Sequence, residues 1–412
     1  MDDSTDVSYE PIGVKQVLAE MKDTAEVLVD LSYSAVLFDD PDIAREVLEL
    51  EAHMDVLQLR ARMSLLLAAR NPGDAEALAP VLGVVGAAEK ISDGAGDIAK
   101  VVLDEQAVTL ALRAALPEAL ETLVTATVAS DSPLAETTLG RANVETETGV
   151  RVVAVRRDDE WLLDPDAGTT LRAGDVALLR GAESAIADLY TDVTGAAYER
   201  ATPGASPGEA LDRAVDAVVH LKDMGELAVD LAYGAVLYES EGVADAVLGL
   251  EAEVDALQER FEVWVLQAAA DSDDPASLRG LLQVARGTET ISDAALEISE
   301  GVLRGIGTHP VVSEAVAESD EVIVRVTVAD GARLHGTTLG GAEVGTETGM
   351  HVVAIKRGDS GGTSTGDDRA DTDGEWIVSP GPDTAISAGD ALLAKGTRSG
   401  SERLNVLAGA DE

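Results

Sequence analysis

A self-similarity at a fixed offset of 200 residues constrains this chain more than any other feature. LVDLSYSAVLF at 28–38 returns as AVDLAYGAVLY at 228–238, and EKISDGAGDI at 89–98 as ETISDAALEI at 289–298. TTLGRANVETETGVRVVAVRR at 137–157 returns as TTLGGAEVGTETGMHVVAIKR at 337–357. Beyond Arg357 the offset grows to 215, with Trp161 matched to Trp376 and Asp175 to Asp390. The 15 added residues fall in GDSGGTSTGDDRADTD, whose composition reads as a disordered hairpin loop. One unit is therefore used twice, joined by the Pro/Gly/Ser-rich ERATPGASPGEA at 199–210.

The 412 residues carry 77 acidic and 30 basic side chains, a net charge of −47, yet 46% are hydrophobic. That apolar content supports packed cores and excludes disorder throughout. So negative a chain repels phosphates, so nucleic acid is not expected as a partner. The composition fits a protein kept soluble in very high salt, as in an extreme halophile. Without Cys there are no disulfides, thiolate metal sites or cysteine nucleophiles. No apolar run reaches the roughly 18 residues of a bilayer span, so no direct membrane insertion is expected. The acidic start MDDSTDVSYE lacks the pattern of a signal peptide, and a cytoplasmic location is expected.

Each unit has two unlike halves. Residues 8–118 and 208–318 read as helical bundles: Ile43, Val47, Leu50, Met54 and Leu57 trace one helical stripe. Pro41 suits a first helical turn, and NPGDAEAL at 71–78 reads as a turn before a new helix with Asp74 as its N-cap. Residues 119–198 and 319–412 read as small α+β domains, with strands in LVTATVA, VRVVAVRR, EWLLDP and DVALLRG. Helical stretches are expected around LGRANVET and ESAIADLYTDV. The fold class is α+β, two helical bundles alternating with two small α+β domains. Like halves are expected to pair side by side about a pseudo-two-fold, and a homodimer of chains is compatible with this plan.

Acid pairs at i,i+4 lie one turn apart on one helix face: Glu51 with Asp55, Glu89 with Asp93, Glu251 with Asp255, Glu289 with Asp293. About 14 such pairs arise by chance in so acidic a chain, and the helical wheel turns these away from the apolar stripes. A solvated acidic face and a hard-cation site are therefore both open readings. Asp30 and Asp230 stand inside apolar helical segments, read as edge acids capped by Tyr33, Tyr233 or water; the alternative is a third ligand helix. Arg151, Arg156, Arg157, Lys356 and Arg357 concentrate scarce positive charge on the repeated strand. Strand alternation sends Arg156 and Lys356 to one face and Arg157 and Arg357 to the other. Pairing with Asp158, Asp159, Glu160, Glu145 or Glu147 is one reading, a pocket for an anion such as phosphate the other. GAGDIA at 94–99 sits inside a helical pattern and is not read as a dinucleotide loop. The five histidines are scattered and assemble no triad, so no enzyme is expected.

The helical half resembles the PhoU domain through its paired ExxxD acids and EKISDGAGDIAK, although Gly94 and Asp97 replace the usual His and Asn. The α+β half resembles the TrkA C-terminal (RCK C-terminal) regulatory domain through SPLAETTLG, TGVRVVAVRR, Pro165, Pro380 and the RAGDVALLRG/SAGDALLAKG turn–strand. The first resemblance implies a divalent metal at Glu51, Asp55, Glu89 and Asp93, with Glu251, Asp255, Glu289 and Asp293 in the copy. The second implies a small-molecule ligand, a cyclic dinucleotide or other nucleotide, at the paired domains beside Val152, Val153, Arg156, Val352, Val353 and Lys356. Together they imply a cytosolic regulator of cation transport, most readily of potassium, partnered with a membrane transporter or channel. The alternative is a metal-binding regulator of phosphate signalling.

Overall fold

The computed structural model describes residues 13–104, 112, 122–158, 160–163, 165–181, 183–198, 208–272, 274–304, 310–318, 321–358 and 376–409. The end of the first helical half, the linker and the Gly/Ser-rich insertion lie largely outside these residues.

Three long helices form the first bundle: α1 (Val14–Phe38), α2 (Pro41–Ala68) and α3 (Pro72–Leu103). Asp40 caps α2 by accepting the Asp42 and Ile43 N–H groups, and Pro41 takes the first-turn position where a missing N–H costs nothing. At α3 the cap is Asn71, which accepts from Gly73 and Asp74, and not Asp74 as the sequence reading had it. With Pro72 at the first turn, the preceding residue is the extended one that can fold its side chain back. Asp74 accepts the Arg70 N–H instead. Ile43, Val47, Met54 and Leu57 are buried, as the stripe requires.

The first α+β domain contains β1 (Thr122–Thr127), β2 (Thr137–Thr138), α4 (Leu139–Ala142), α5 (Val144–Thr148) and β3 (Arg151–Arg157). It continues with β4 (Glu160–Leu163), β5 (Thr170–Leu171), β6 (Val176–Gly181) and α6 (Glu183–Thr194). Its main sheet is antiparallel in the order β1-β6-β3-β4. The second unit repeats the plan with α7 (Glu209–Tyr238), α8 (Glu241–Asp271), a 3-10 turn (Pro275–Leu278), α9 (Arg279–Leu303) and α10 (Pro310–Glu318). Then come β7 (Val322–Thr327), α11 (Val344–Thr348), β8 (His351–Lys356), β9 (Trp376–Val378), β10 (Ala391–Gly396) and α12 (Arg398–Ala408), with sheet order β7-β10-β8-β9.

Like halves pair within the chain. The helices of both units share one core, with α3 packed along α9. Helices α5 and α11 meet where Gly149 and Gly349 touch, both with positive φ, a close approach that suits residues without a β-carbon. Arg403 of α12 reaches across to the Thr146 carbonyl oxygen at 2.8 Å. Each sheet uses alternation in two ways: Val153, Leu178, Val353 and Leu393 join the helical core, while Val152, Leu179, Val352 and Leu392 fill small cores of their own. The sheets thus rest directly on the bundle. No described helix is long and apolar enough to cross a membrane.

Candidate functional site

Where the two sheets meet the bundle, charge is buried in quantity. Helices α1 and α7 each carry a Lys, a Glu and an Asp at i, i+4 and i+8: Lys22, Glu26, Asp30 and Lys222, Glu226, Asp230. That spacing keeps all three on one side, about 40° out of line per step of four residues, and the side is the one facing the sheets. Lys22 lies 2.8 Å from Glu26, and Lys222 2.8 Å from Glu226. Each ammonium also stands over the other unit's tyrosine ring, Lys22 over Tyr233 at 5.5 Å and Lys222 over Tyr33 at 5.3 Å.

Arg180 on β6 and Lys395 on β10 occupy matching places in the two sheets and descend onto these helices. Arg180 donates to Asp30 at 2.6 Å and to Glu321 at 3.0 Å. Lys395 lies 2.8 Å from Asp230, 2.9 Å from Glu321 and 3.5 Å from Glu26. Arg151 approaches Glu321 at 3.5 Å. Desolvation alone would raise the Glu321 carboxyl, but Lys395, Arg180 and Arg151 together hold it well below the usual carboxylate range. Asp30 and Asp230 remain raised, because burial outweighs their single strong cations. Burial likewise pushes Glu226 up, to about 7, against the pull of Lys222.

Asp30 and Asp230 are thus not edge acids capped by tyrosine or water. Tyr33 hydrogen-bonds Thr288 at 2.7 Å, and the Tyr233 hydroxyl is buried with no hydrogen-bond partner among the described residues. Arg180, Lys395, Glu321, Lys22 and Lys222 were not singled out by the sequence reading. A signal existed: two of only seven lysines recur at positions 22 and 222, and a basic residue recurs inside the otherwise apolar strand at 180 and 395.

Above this network lies a cavity of about 360 Å³ between the two α+β domains, lined in part by Arg151, Arg180, His351, Lys395, Gly149 and Gly349. A smaller one of about 60 Å³ lies below, between α1 and α7, and shares Arg180, Asp230, His351 and Lys395 with it. A third, about 310 Å³, is bordered by Arg151, Val152 and Asp166. Of the six residues expected beside a ligand, Val152 borders this third cavity. Val153, Val352 and Val353 are packed in cores. Arg156 stacks over Trp161 and lies 3.5 Å from Asp40 at the start of α2, and Lys356 stacks over Trp376. Both point to the bundle. Their neighbours Arg157 and Arg357 clamp Asp175 and Asp390 in the AGD turns, at 2.5 Å and 2.6 Å, rather than the acids adjacent in sequence.

The acid pairs gather on the flanks. Glu89 and Asp93 are raised by partial burial and then by neighbouring carboxylates, Asp93 and Asp55 respectively. Glu289 and Asp293 are raised in the same manner, with Asp255 contributing to both. Glu51 is raised by desolvation although Lys100 lies 3.4 Å away, and Glu251 by desolvation and Asp255. Among the described residues no group of three carboxylate or imidazole side chains converges closely enough to hold a metal ion.

Family models match in alternation: the PhoU domain over residues 18–102 and 183–302, the TrkA-C domain over 123–192 and 323–409. Among solved structures, PhoU from Pseudomonas aeruginosa is 15% identical, with 71% of this chain and 96% of that one covered and a TM-score of 0.38. The GsuK RCK domain is 16% identical, with coverage of 71% and 64% and a TM-score of 0.18. The GsuK channel bound to NAD is 14% identical, with coverage of 81% and 66% and a TM-score of 0.18. In both GsuK comparisons this chain spans just under two thirds of the other. No curated protein matches the chain.

Proposed function

The chain belongs to the proteins that join PhoU domains to TrkA-C domains, and from that premise we propose that it is a cytoplasmic, non-enzymatic regulator of cation transport. Its ligand is a small anionic molecule, of which nucleotides are the leading class, and its output is the arrangement of the helical bundle presented to a potassium channel or transporter. The observation that carries this reading is the double duty of Arg180 and Lys395. Both line the cavity between the TrkA-C domains and both hold carboxylates of the bundle. An anion bound above would compete with Asp30, Asp230 and Glu321 for the same two cations. Binding and bundle geometry would then be linked through differential contacts.

The test is differential scanning fluorimetry in molar KCl with cyclic di-AMP, ATP and ADP, repeated on Arg151→Met, whose side chain borders both larger cavities. A rise in midpoint that the variant loses supports the reading. Absence of any shift with every nucleotide sinks the ligand-sensor version. The carboxylate clusters support a second reading, a PhoU-like regulator of phosphate signalling that binds divalent metal. Raised carboxylates crowded by their own kind are stabilised by an incoming cation. Elemental analysis decides it: stoichiometric metal, lost in Glu89→Ala with Glu289→Ala, is the expected result.

A further inference from the structure

The two helical tips, matched by the repeat, differ in charge. From Val56 to Gly73, at the end of α2, the chain has three arginines and no acid. The matching run Ala256–Asp273, at the end of α8, has one arginine and four acids. In a protein with 77 acidic residues an acid-free stretch of that length is itself unusual. On α2, Leu59, Arg62 and Leu66 fall at i, i+3 and i+7 and share one exposed face; on α8 the same places hold Glu259, Glu262 and Leu266. Leu66 is 74% exposed and Leu266 71%, with Leu67 and Val263 beside them also open to solvent. Each tip is therefore an apolar patch rimmed by charge, and the compared faces of α2 and α8 have opposite sign, with Asp74 and Glu76 following the first at the start of α3.

Their placement follows from the crossing of α3 and α9. Lys90 pairs with Glu297, Gly94 meets Gly287, and Gly287 meets Ile98, so one helix ascends as the other descends. The turn that leads into α3 and the turn that leads into α9 accordingly lie at opposite ends of the molecule. Each also lies a helix length, about 40 Å, from its own unit's sheet, which meets α2 or α8 at its first turn.

We propose that these tips are the two halves of a head-to-tail interface: the basic tip of one chain docks on the acidic tip of a second copy. Leu66 and Leu67 meet Leu266 and Val263, and Arg62 and Arg70 face Glu262 and Glu259. Arg62 already feels Glu89 on its own chain, and the Arg70 N–H is held by Asp74, so the ion pairs form at the rim without stranding either arginine. Because the two surfaces differ and lie at opposite ends, the contact is heterologous and repeats into open chains rather than a closed dimer.

Sedimentation velocity across a wide concentration range tests this with the full-length protein. Wild type is expected to grow into species larger than a dimer. Two charge-reversed variants, Arg62→Glu with Arg70→Glu and Glu259→Arg with Glu262→Arg, carry two acidic or two basic tips. Each alone is expected to stay monomeric, with at least a tenfold weaker association, while circular dichroism is unchanged. Mixed in equal amounts they are expected to associate again, alternating along the chain. A monomeric wild type, a closed dimer, or association retained by either single variant overturns the proposal. So does sedimentation of monomers with phosphatidylglycerol vesicles that depends on Arg62, which assigns the basic tip to a lipid surface.

Discussion

Gly94 and Gly287 stand backbone to backbone where α3 and α9 cross, and a β-carbon on either would lie within 2.8 Å of the other's carbonyl oxygen. They are not repeat equivalents, since Ala294 and Ala87 occupy the matching places. The close approach is thus specific to the way the two copies dock.

Gly287→Ala would also set its methyl group 2.5 Å from Ile98, deep in the shared core. Overpacking of this kind costs about 1–3 kcal/mol, so the thermal midpoint is expected to fall. Gly86→Ala, with nothing within 4 Å of its added carbon, is the control, expected to gain up to about 1 kcal/mol from helix propensity alone. Equal midpoints for the two variants would contradict the crossing.

Lys395→Met takes the close cation from Asp230 and one of several from Glu321 and Glu26, which keep Arg180 and Lys22. Removing one partner of a buried ionic cluster costs about 3–5 kcal/mol, because the remaining charge stays buried and unpaired. Lys100→Met, which breaks an exposed pair with Asp97 and Glu51, is expected to cost less than about 1 kcal/mol. Urea denaturation of both variants measures the contrast, and a Lys395→Met as mild as Lys100→Met would be fatal to the account.

Repeat symmetry predicts that Tyr33 and Tyr233 behave alike, and the structure predicts that they do not. Tyr33→Phe removes the bond to Thr288 and is expected to cost about 1 kcal/mol. Tyr233→Phe removes a buried hydroxyl with no partner among the described residues, and is expected to be neutral or stabilising. Paired stability measurements on the two variants suffice.

Acid sensitivity should trace in part to Glu321. Its folded carboxyl lies well below its unfolded value near 4.5, so its contribution is complete above that value and lost as pH falls through and below it. Glu321→Gln is expected to lack that component. Its midpoint, lower than wild type at pH 7, should converge toward wild type as pH falls below about 4.5. Parallel curves would rule out the assignment.

Much of this was legible from residues in order. The repeat fixed four domains of two kinds, the β-branched runs marked β1, β3, β4 and β6, and the helical stripe placed Ile43, Val47, Met54 and Leu57 inside. Local signals failed where the partner is remote. Arg180 and Asp30 are 150 positions apart, and only the seating of a sheet on the bundle brings them together. The strand face of Arg156 was read correctly, but what it faces is a tryptophan and Asp40, which alternation cannot name. The cap of α3 was misread because two acceptors, Asn71 and Asp74, flank the same Pro72.

Salt distinguishes the two populations of acids in this protein. At molar ionic strength the screening length is about 3 Å, so the surface carboxylates scarcely sense one another and repulsion among them subsides. Glu26, Asp30 and Glu321 are buried with Lys395 and Arg180, so their attraction to these cations is screened far less than that of surface pairs. The junction between sheets and bundle therefore responds less to salinity than the surface does. A chain built this way can hold its internal ion pairs while the ion concentration around it changes severalfold.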